Sequence, residues 1–278
     1  MEVNSIAEQL YFTTVRVDTV DVNGNAGSGT GFIFSHKYKG KEYPFIVTNK
    51  HVIKNAKTGG ITFIKDDNGK PKLGDSFRIE NENFENLWFG HQDENVDIAI
   101  TPLVPIQNYI KSLGINIFFR NISFDLIPTE NNLKELDALE DIVFIGYPNG
   151  IWDTKNFIPI MRKGTTATPL HIDFENEKKF LIDASVFGGS SGSPVFIYNT
   201  GTYANKGGGT VVGTRIYFVG VVAAVYHKND LNEIISIPIP TATKPVAVGK
   251  EMIDLGIVFK ANTVPEVIEQ FIDINEGI

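Results

Sequence analysis

The sequence predicts an all-β fold in two strand-rich halves, and three observations carry that prediction. Short apolar or β-branched runs of four to eight residues recur along the chain. Turn signals separate them at Asn23-Gly24, Lys39-Gly40, Gly59-Gly60 and Asn68-Gly69. The regularity then lapses after Leu103 and resumes near Asp141, which divides the pattern in two. Runs of that length bounded by Gly and Asn read as strands, because strands pack β-branched residues well and Asn-Gly favours tight hairpins.

Taken in order, the first half predicts strands at 10–20, 31–34, 45–48, 61–64 and 98–103. The irregular middle holds a helical turn at 131–136, and it carries Phe118-Phe119, apolar residues expected to pack back onto a core. The second half predicts strands at 142–145, 157–162, 180–182, 195–198, 215–225 and 256–259. An apolar-periodic stretch from Thr263 to Ile272 closes the pattern, and Tyr203 to Gly209 reads as a mobile hairpin tip. A further insertion, at 227–252, carries Ile237-Pro238-Ile239-Pro240 and Pro245, and loops of that kind often set access to a cleft.

The stretch Gly189-Ser190-Ser191-Gly192-Ser193-Pro194 carries the chemistry. Its glycines let the backbone bend until consecutive N–H groups point into one space, where they can hold an oxyanion. A serine hydroxyl is a weak nucleophile that needs a base, and the base needs an orienting carboxylate. His51 lies just past the strand 45–48, and Asp97 heads the run Asp97-Ile98-Ala99-Ile100. The order His51, Asp97, Ser191 is one of three by which unrelated folds assemble such a triad.

Alternatives lie close by. Ser190, Ser185 and Ser193 compete with Ser191, while Asp93 and Glu94 compete with Asp97. Gly188-Gly189-Ser190-Ser191-Gly192 also fits the Gly-x-Ser-x-Gly elbow of α/β-hydrolases. That fold requires an acid and then a histidine downstream, and no Asp or Glu separates Ser191 from His227. The pair His91 and Asp93 lacks the spacing of a metal site, so no metal is expected. Gly27 to Gly31 lacks the Lys-Ser/Thr and helix of a phosphate loop, so it reads as a strand entry beside the site and no cofactor is expected. Gly146-Tyr147-Pro148-Asn149-Gly150 reads as a rigid turn that shapes the cleft wall.

Together, Gly29-Thr30-Gly31-Phe32, Thr48-Asn49-Lys50-His51-Val52, Asp97-Ile98-Ala99-Ile100, Gly146-Tyr147-Pro148 and Gly189 to Pro194 resemble the chymotrypsin-fold serine proteases, most nearly the bacterial Deg-type (high-temperature-requirement) branch. The resemblance implies two six-stranded antiparallel Greek-key β-barrels with the active site in the cleft between them, followed by a C-terminal helix. It places the first barrel at 1–105, the inter-barrel connection at 106–140, the second barrel at 141–262 and the helix and tail at 263–278. It implies a serine endopeptidase with Gly189 and Ser191 as oxyanion donors. Its pocket for the residue before the scissile bond would be lined by Ser185 and Val186 and walled by Val222, Ala223, Ala224 and Val225, which suits small or medium aliphatic side chains. Ser190 stands where digestive relatives carry an aspartate that receives a new N-terminus, so activation by N-terminal cleavage is not expected. The peptide-binding module that Deg-type proteins append is not expected either.

Composition agrees with a compact enzyme. A chain of 278 residues with 42% hydrophobic content can bury about three quarters of its unfolded surface. No apolar run approaches the ~20 residues of a membrane span, no signal peptide opens the chain and no cysteine is present, so a cytoplasmic protein is expected. A net charge of −8 without a basic cluster excludes nucleic acid as the expected partner and leaves protein or peptide substrates. A second reading keeps the triad but leaves the oxyanion loop collapsed, so that the protein is latent or acts as a binding or chaperone module. In that reading, an activating partner or homo-oligomer is the switch.

Overall fold

The structure, a computed structural model, describes residues 1–229 and 250–276. The chain opens with the helix α1 (Ile6–Leu10), where a strand from residue 10 was expected. The reason is a capping box: Glu8 N–H donates to Ser5 Oγ at 3.2 Å, and the Glu8 carboxylate accepts from Ser5 N–H at 2.8 Å. Extended structure begins with β1 (Thr14–Asp21) and continues in β2 (Ala26–Tyr38) and β3 (Lys41–Thr48). A single helical turn, α2 (Lys50–Ile53), follows, then the long hairpin of β4 (Ala56–Asp67) and β5 (Lys70–Asn81). At its tip Asn68 and Gly69 adopt φ of 54° and 82°, the left-handed pair that a two-residue hairpin turn needs.

The lobe is completed by β6 (Phe89–Gly90) and β7 (Ala99–Pro102). The stretch expected to be irregular contains the helix α3 (Leu103–Ser112), the short strands β8 (Ile117–Phe118) and β9 (Ile122–Ser123), and α4 (Glu130–Glu135). The N-terminal sheet has nine strands, in the order β5-β4-β1-β2-β3-β7-β6, with β8 added to β4 and β9 to β2. Phe118 is buried and meets Phe12 edge-on at 5.1 Å, so the middle segment packs back onto the first lobe.

The second lobe consists of β10 (Asp141–Gly146), β11 (Ile160–Thr166), β12 (Lys179–Asp183), β13 (Pro194–Asn199), the small hairpin β14 (Thr202–Ala204) and β15 (Thr210–Val212), β16 (Arg215–Asn229) and β17 (Lys250–Lys260). Six of these close into a barrel in the order β10-β11-β12-β17-β16-β13. The helix α5 (Thr263–Glu276) then lies across both lobes. Much of the expected 227–252 insertion, residues 230–249, lies outside the described residues.

Strand alternation sorts the apolar residues into three cores. In β10, Ile142 and Phe144 face the barrel interior, while Val143 and Ile145 face the lobe junction. In β2, Phe32 and Phe34 join the same junction, and Ile33 turns into the N-terminal lobe with Val15, Val17 and Ile61. Phe218 fills the centre of the junction, within 5.4 Å of Phe32, 5.7 Å of Phe196 and 5.9 Å of Phe34. From α5, Val264, Val267, Ile268 and Ile272 complete this shared core. Among the described residues no helix is long and apolar enough to cross a membrane.

Candidate active site

Strand pairing brings the three predicted residues together. Thr48 at the end of β3 pairs with Ala99 at the start of β7, so the segments carrying His51 and Asp97 emerge side by side. Asn49 is buried beneath them and donates from Nδ2 to the Asp97 carbonyl at 2.7 Å, which fixes that backbone. The Asp97 carboxylate has two tasks: Oδ1 accepts the His51 backbone N–H at 3.0 Å, and Oδ2 lies 2.5 Å from His51 Nδ1. His51 Nε2 lies 2.9 Å from Ser191 Oγ across the cleft. The Ser191 hydroxyl is also within 3.0 Å of the Ala223 carbonyl, so its one proton has two acceptors.

The turn that presents Ser191 is anchored at several points. Ser193 N–H donates to Ser190 O at 3.0 Å, and Gly192 N–H and Val222 N–H tie the turn to β16 at 2.8 and 2.9 Å. Gly192 has φ +86°, and a Cβ there would overlap the Thr30 carbonyl and lie 2.8 Å from Thr48 Oγ1. Gly189 has φ +80°, and its Cβ would lie 2.5 Å from Tyr147 O. Ser190 is 1% exposed and its hydroxyl turns inward to Phe187 N–H at 3.4 Å, so of the two neighbouring serines it is Ser191 that faces His51. Among the described residues no acceptor takes the N–H of Gly189 or of Ser191, and the Gly188 carbonyl is engaged by Asn149 N–H.

The trypsin-like peptidase domain pattern matches residues 29–203. The chain belongs to that family. The matched span contains His51, Asp97 and the Gly189–Ser193 turn. No curated protein matches the chain. Solved structures similar to it include the serine endoprotease of Yersinia pestis, at 18% identity and TM-score 0.48 over 98% of this chain and 68% of that one. The MamO protease domain of Magnetospirillum magneticum is similar at 14% identity and TM-score 0.45 over 94% and 97%. A protease of M. tuberculosis in its active form is similar at 15% and 0.44 over 96% and 83%.

The residues expected to line a substrate pocket divide. Ser185 is half-buried, whereas Val186 and Val222 are 1% and 0% exposed and belong to the core of the C-terminal barrel with Ile182, Ala184 and Val258. Both valines therefore pack inside the barrel, and neither lines an open pocket as expected. Ala223 is buried and contributes its carbonyl to Ser191. Ala224 and Val225 continue β16 opposite Ile257 and Gly256, and their side chains lie outside the described part.

Several neighbours were not singled out from the sequence. The Arg162 guanidinium stacks on Phe187 at 4.9 Å and on Phe144 at 5.6 Å. Its Nη1 is buried with no hydrogen-bond partner among the described residues, and burial pulls its pKa down against the attraction of Asp254. Burial likewise lowers the Lys50 ammonium, opposed by Asp97, Asp93 and Glu94, and its Nζ donates to Asp93 O at 2.8 Å. Asp93 and Glu94 thus stand on the Lys50 side and form no hydrogen bond or ion pair with His51 among the described residues. His91 accepts from Asp93 N–H at 3.0 Å and faces Glu266 at 3.4 Å, and among the described residues no group of three His, Asp or Glu side chains is arranged to hold a metal.

Proposed function

We propose that this peptidase domain is a serine endopeptidase of the Deg-type branch, with Ser191 as nucleophile, His51 as general base and Asp97 as the group that orients it. The observation that carries the reading is the continuous line from Asp97 Oδ2 through the His51 ring to Ser191 Oγ, with links of 2.5 and 2.9 Å. In the first step Ser191 Oγ attacks the peptide carbonyl carbon while His51 Nε2 takes the hydroxyl proton. Negative charge collects on the former carbonyl oxygen, where the N–H groups of Gly189 and Ser191 stabilise it. His51 then returns the proton to the departing amine, leaving an acyl-serine. Water attacks the acyl carbon by the same route in reverse, with His51 again as base, and releases the acid and the free serine.

Two further observations favour the competent form over the latent one. The Gly189 and Ser191 N–H groups have no internal acceptor among the described residues, and the Gly188 carbonyl that would fill the oxyanion position in a flipped loop is held by Asn149. The substrate is a protein or peptide, cut after small or medium aliphatic residues, the preference that the family resemblance implies. A peptide library cleaved mainly after acidic or basic residues would exclude that preference, and loss of an acidic preference in Arg162→Leu would assign the pocket to Arg162.

The deciding experiment is fluorophosphonate labelling of the wild-type protein, Ser191→Ala and Ser190→Ala. Labelling of wild type and Ser190→Ala with none of Ser191→Ala is expected. Labelling lost only in Ser190→Ala would move the nucleophile by one residue, and no labelling of wild type would favour the latent form.

A further inference from the structure

Thr30 is fully buried in β2, a strand of the N-terminal lobe, yet five of its hydrogen bonds engage the nucleophile turn and its supports. Its N–H donates to Ser191 O at 2.8 Å, and its hydroxyl donates to Gly189 O at 3.0 Å. The same hydroxyl accepts Tyr147 N–H at 3.1 Å and lies 3.4 Å from Ser193 Oγ, and its carbonyl accepts Thr48 Oγ1–H at 2.7 Å. A hydroxyl has one proton and two lone pairs, so with the Ser193 hydroxyl donating this oxygen has its full complement.

The direction of an N–H is fixed once its peptide plane is fixed. Around Gly189 both flanking planes are pinned: Asn149 N–H holds the Gly188 carbonyl on one side, and the Thr30 hydroxyl holds the Gly189 carbonyl on the other. The Ser190–Ser191 plane is held by Ser193 N–H on Ser190 O. Glycine at 189 would otherwise allow this loop to turn over. No charge takes part, because Ser190, the buried neighbour, carries only a neutral hydroxyl.

We propose that Thr30 is a positioning residue for the oxyanion hole, a neutral brace from the N-terminal lobe that holds the Gly189 and Ser191 carbonyls and so keeps the turn bearing the Gly189 and Ser191 N–H groups from turning over. The inference rests on the serine-peptidase reading above. Thr30 touches neither substrate nor reacting atoms; it acts through Gly189 and Ser191.

The test compares Thr30→Val, which keeps the shape and removes the hydroxyl, with Thr30→Ser, which keeps the hydroxyl. Three quantities are measured on the whole chain: the rate of fluorophosphonate labelling, kcat and KM on a peptide substrate, and affinity for a peptide aldehyde beside the matching peptide amide. The aldehyde forms a tetrahedral oxyanion on Ser191 and the amide does not. Complete loss of one oxyanion donor lowers rate by 10²–10³, so a mis-aimed donor in Thr30→Val is expected to lower labelling and kcat by about 10–100-fold. Aldehyde affinity falls in step, KM and amide affinity hold, and Thr30→Ser recovers most of the rate. If Thr30→Val does not fold, Thr30→Ala takes its place with the same readouts.

Wild-type rates in the valine variant, equal losses of aldehyde and amide affinity, or a serine variant as impaired as valine would each overturn the proposal. Failure of the wild type to label would instead overturn the serine-peptidase reading, and this inference with it.

Discussion

Replacing Asp97 with asparagine keeps the shape of the side chain and removes one of its two acceptors. Both acceptors are in use: Oδ1 takes the His51 backbone N–H at 3.0 Å and Oδ2 faces Nδ1 at 2.5 Å. An amide offers one oxygen and one NH₂. If its oxygen stays with the backbone N–H, the NH₂ confronts Nδ1, which must then accept, and the ring proton moves to Nε2. A protonated Nε2 cannot take the Ser191 proton. If the amide turns over, Nδ1–H is satisfied but the NH₂ faces the His51 N–H, donor against donor. A base held in the wrong tautomer lowers kcat by about 10⁴, which is about 5.5 kcal/mol of transition-state stabilisation at ~1.36 kcal/mol per decade. The backbone at 97 stays fixed through Asn49 Nδ2, so the fold is expected to hold. The assay is steady-state hydrolysis of a peptide substrate at neutral pH beside a thermal melt. A loss in kcat below tenfold in a folded Asp97→Asn protein would refute the reasoning.

Gly192→Ala is expected to destabilise the fold by at least about 1–3 kcal/mol and to abolish labelling, since it combines positive φ with overlap on the Thr30 carbonyl; an unchanged thermal midpoint would contradict this. The Arg215–Glu140 pair is almost fully buried, with Arg215 Nε also donating to Asn199 at 2.9 Å and Glu140 accepting Asp137 N–H at 2.9 Å. Arg215→Met strands the Glu140 carboxylate, and urea denaturation is expected to show a loss of about 3–5 kcal/mol. Burial holds the His36 imidazole below the ordinary histidine value, only partly opposed by Glu269 at 3.4 Å. Its folded pKa is therefore depressed, so its contribution to stability is complete above roughly pH 6.5 and is lost as pH falls through the lower folded value. Urea midpoints measured from pH 7.5 to 5 should fall less steeply in His36→Gln than in wild type; equal slopes would contradict the assignment.

What could be read from the sequence follows from where the information resides. The Asn68-Gly69 turn and the β-branched runs are local signals, and they became the β4–β5 hairpin and the barrel strands. The strand β5 opens on the polar stretch Lys70-Pro71-Lys72-Leu73-Gly74-Asp75, and its apolar alternation is confined to Phe77 and Ile79, which pack on the N-terminal core. α3 begins at Leu103 with Pro105 in its first turn, a combination that reads as a break although proline is tolerated there. His51, Asp97 and Ser191 stand in short motifs, and strand pairing brings them together. Thr30 and Asn149 stand within motifs, but their contacts depend on backbone geometry far apart in the chain, which no local pattern encodes. From their place in the chain Val186 is expected to line the pocket and Val222 to wall it, yet both side chains pack into the barrel core, Val222 through the alternation of β16.

The position of α5 has a consequence in time. Val264, Val267, Ile268 and Ile272 supply one side of the core in which Phe32, Phe34 and Phe45 of the first lobe meet Phe196 and Phe218 of the second. A ribosome delivers His51, Asp97 and Ser191 well before it delivers that helix, and chains fold progressively from the N-terminus. Until α5 arrives, the junction that sets the distance between His51 and Ser191 lacks a wall. On the proposed mechanism, the nascent chain thus carries every reactive group while the cleft that aligns them is still unfinished, which delays proteolytic competence until synthesis has passed α5.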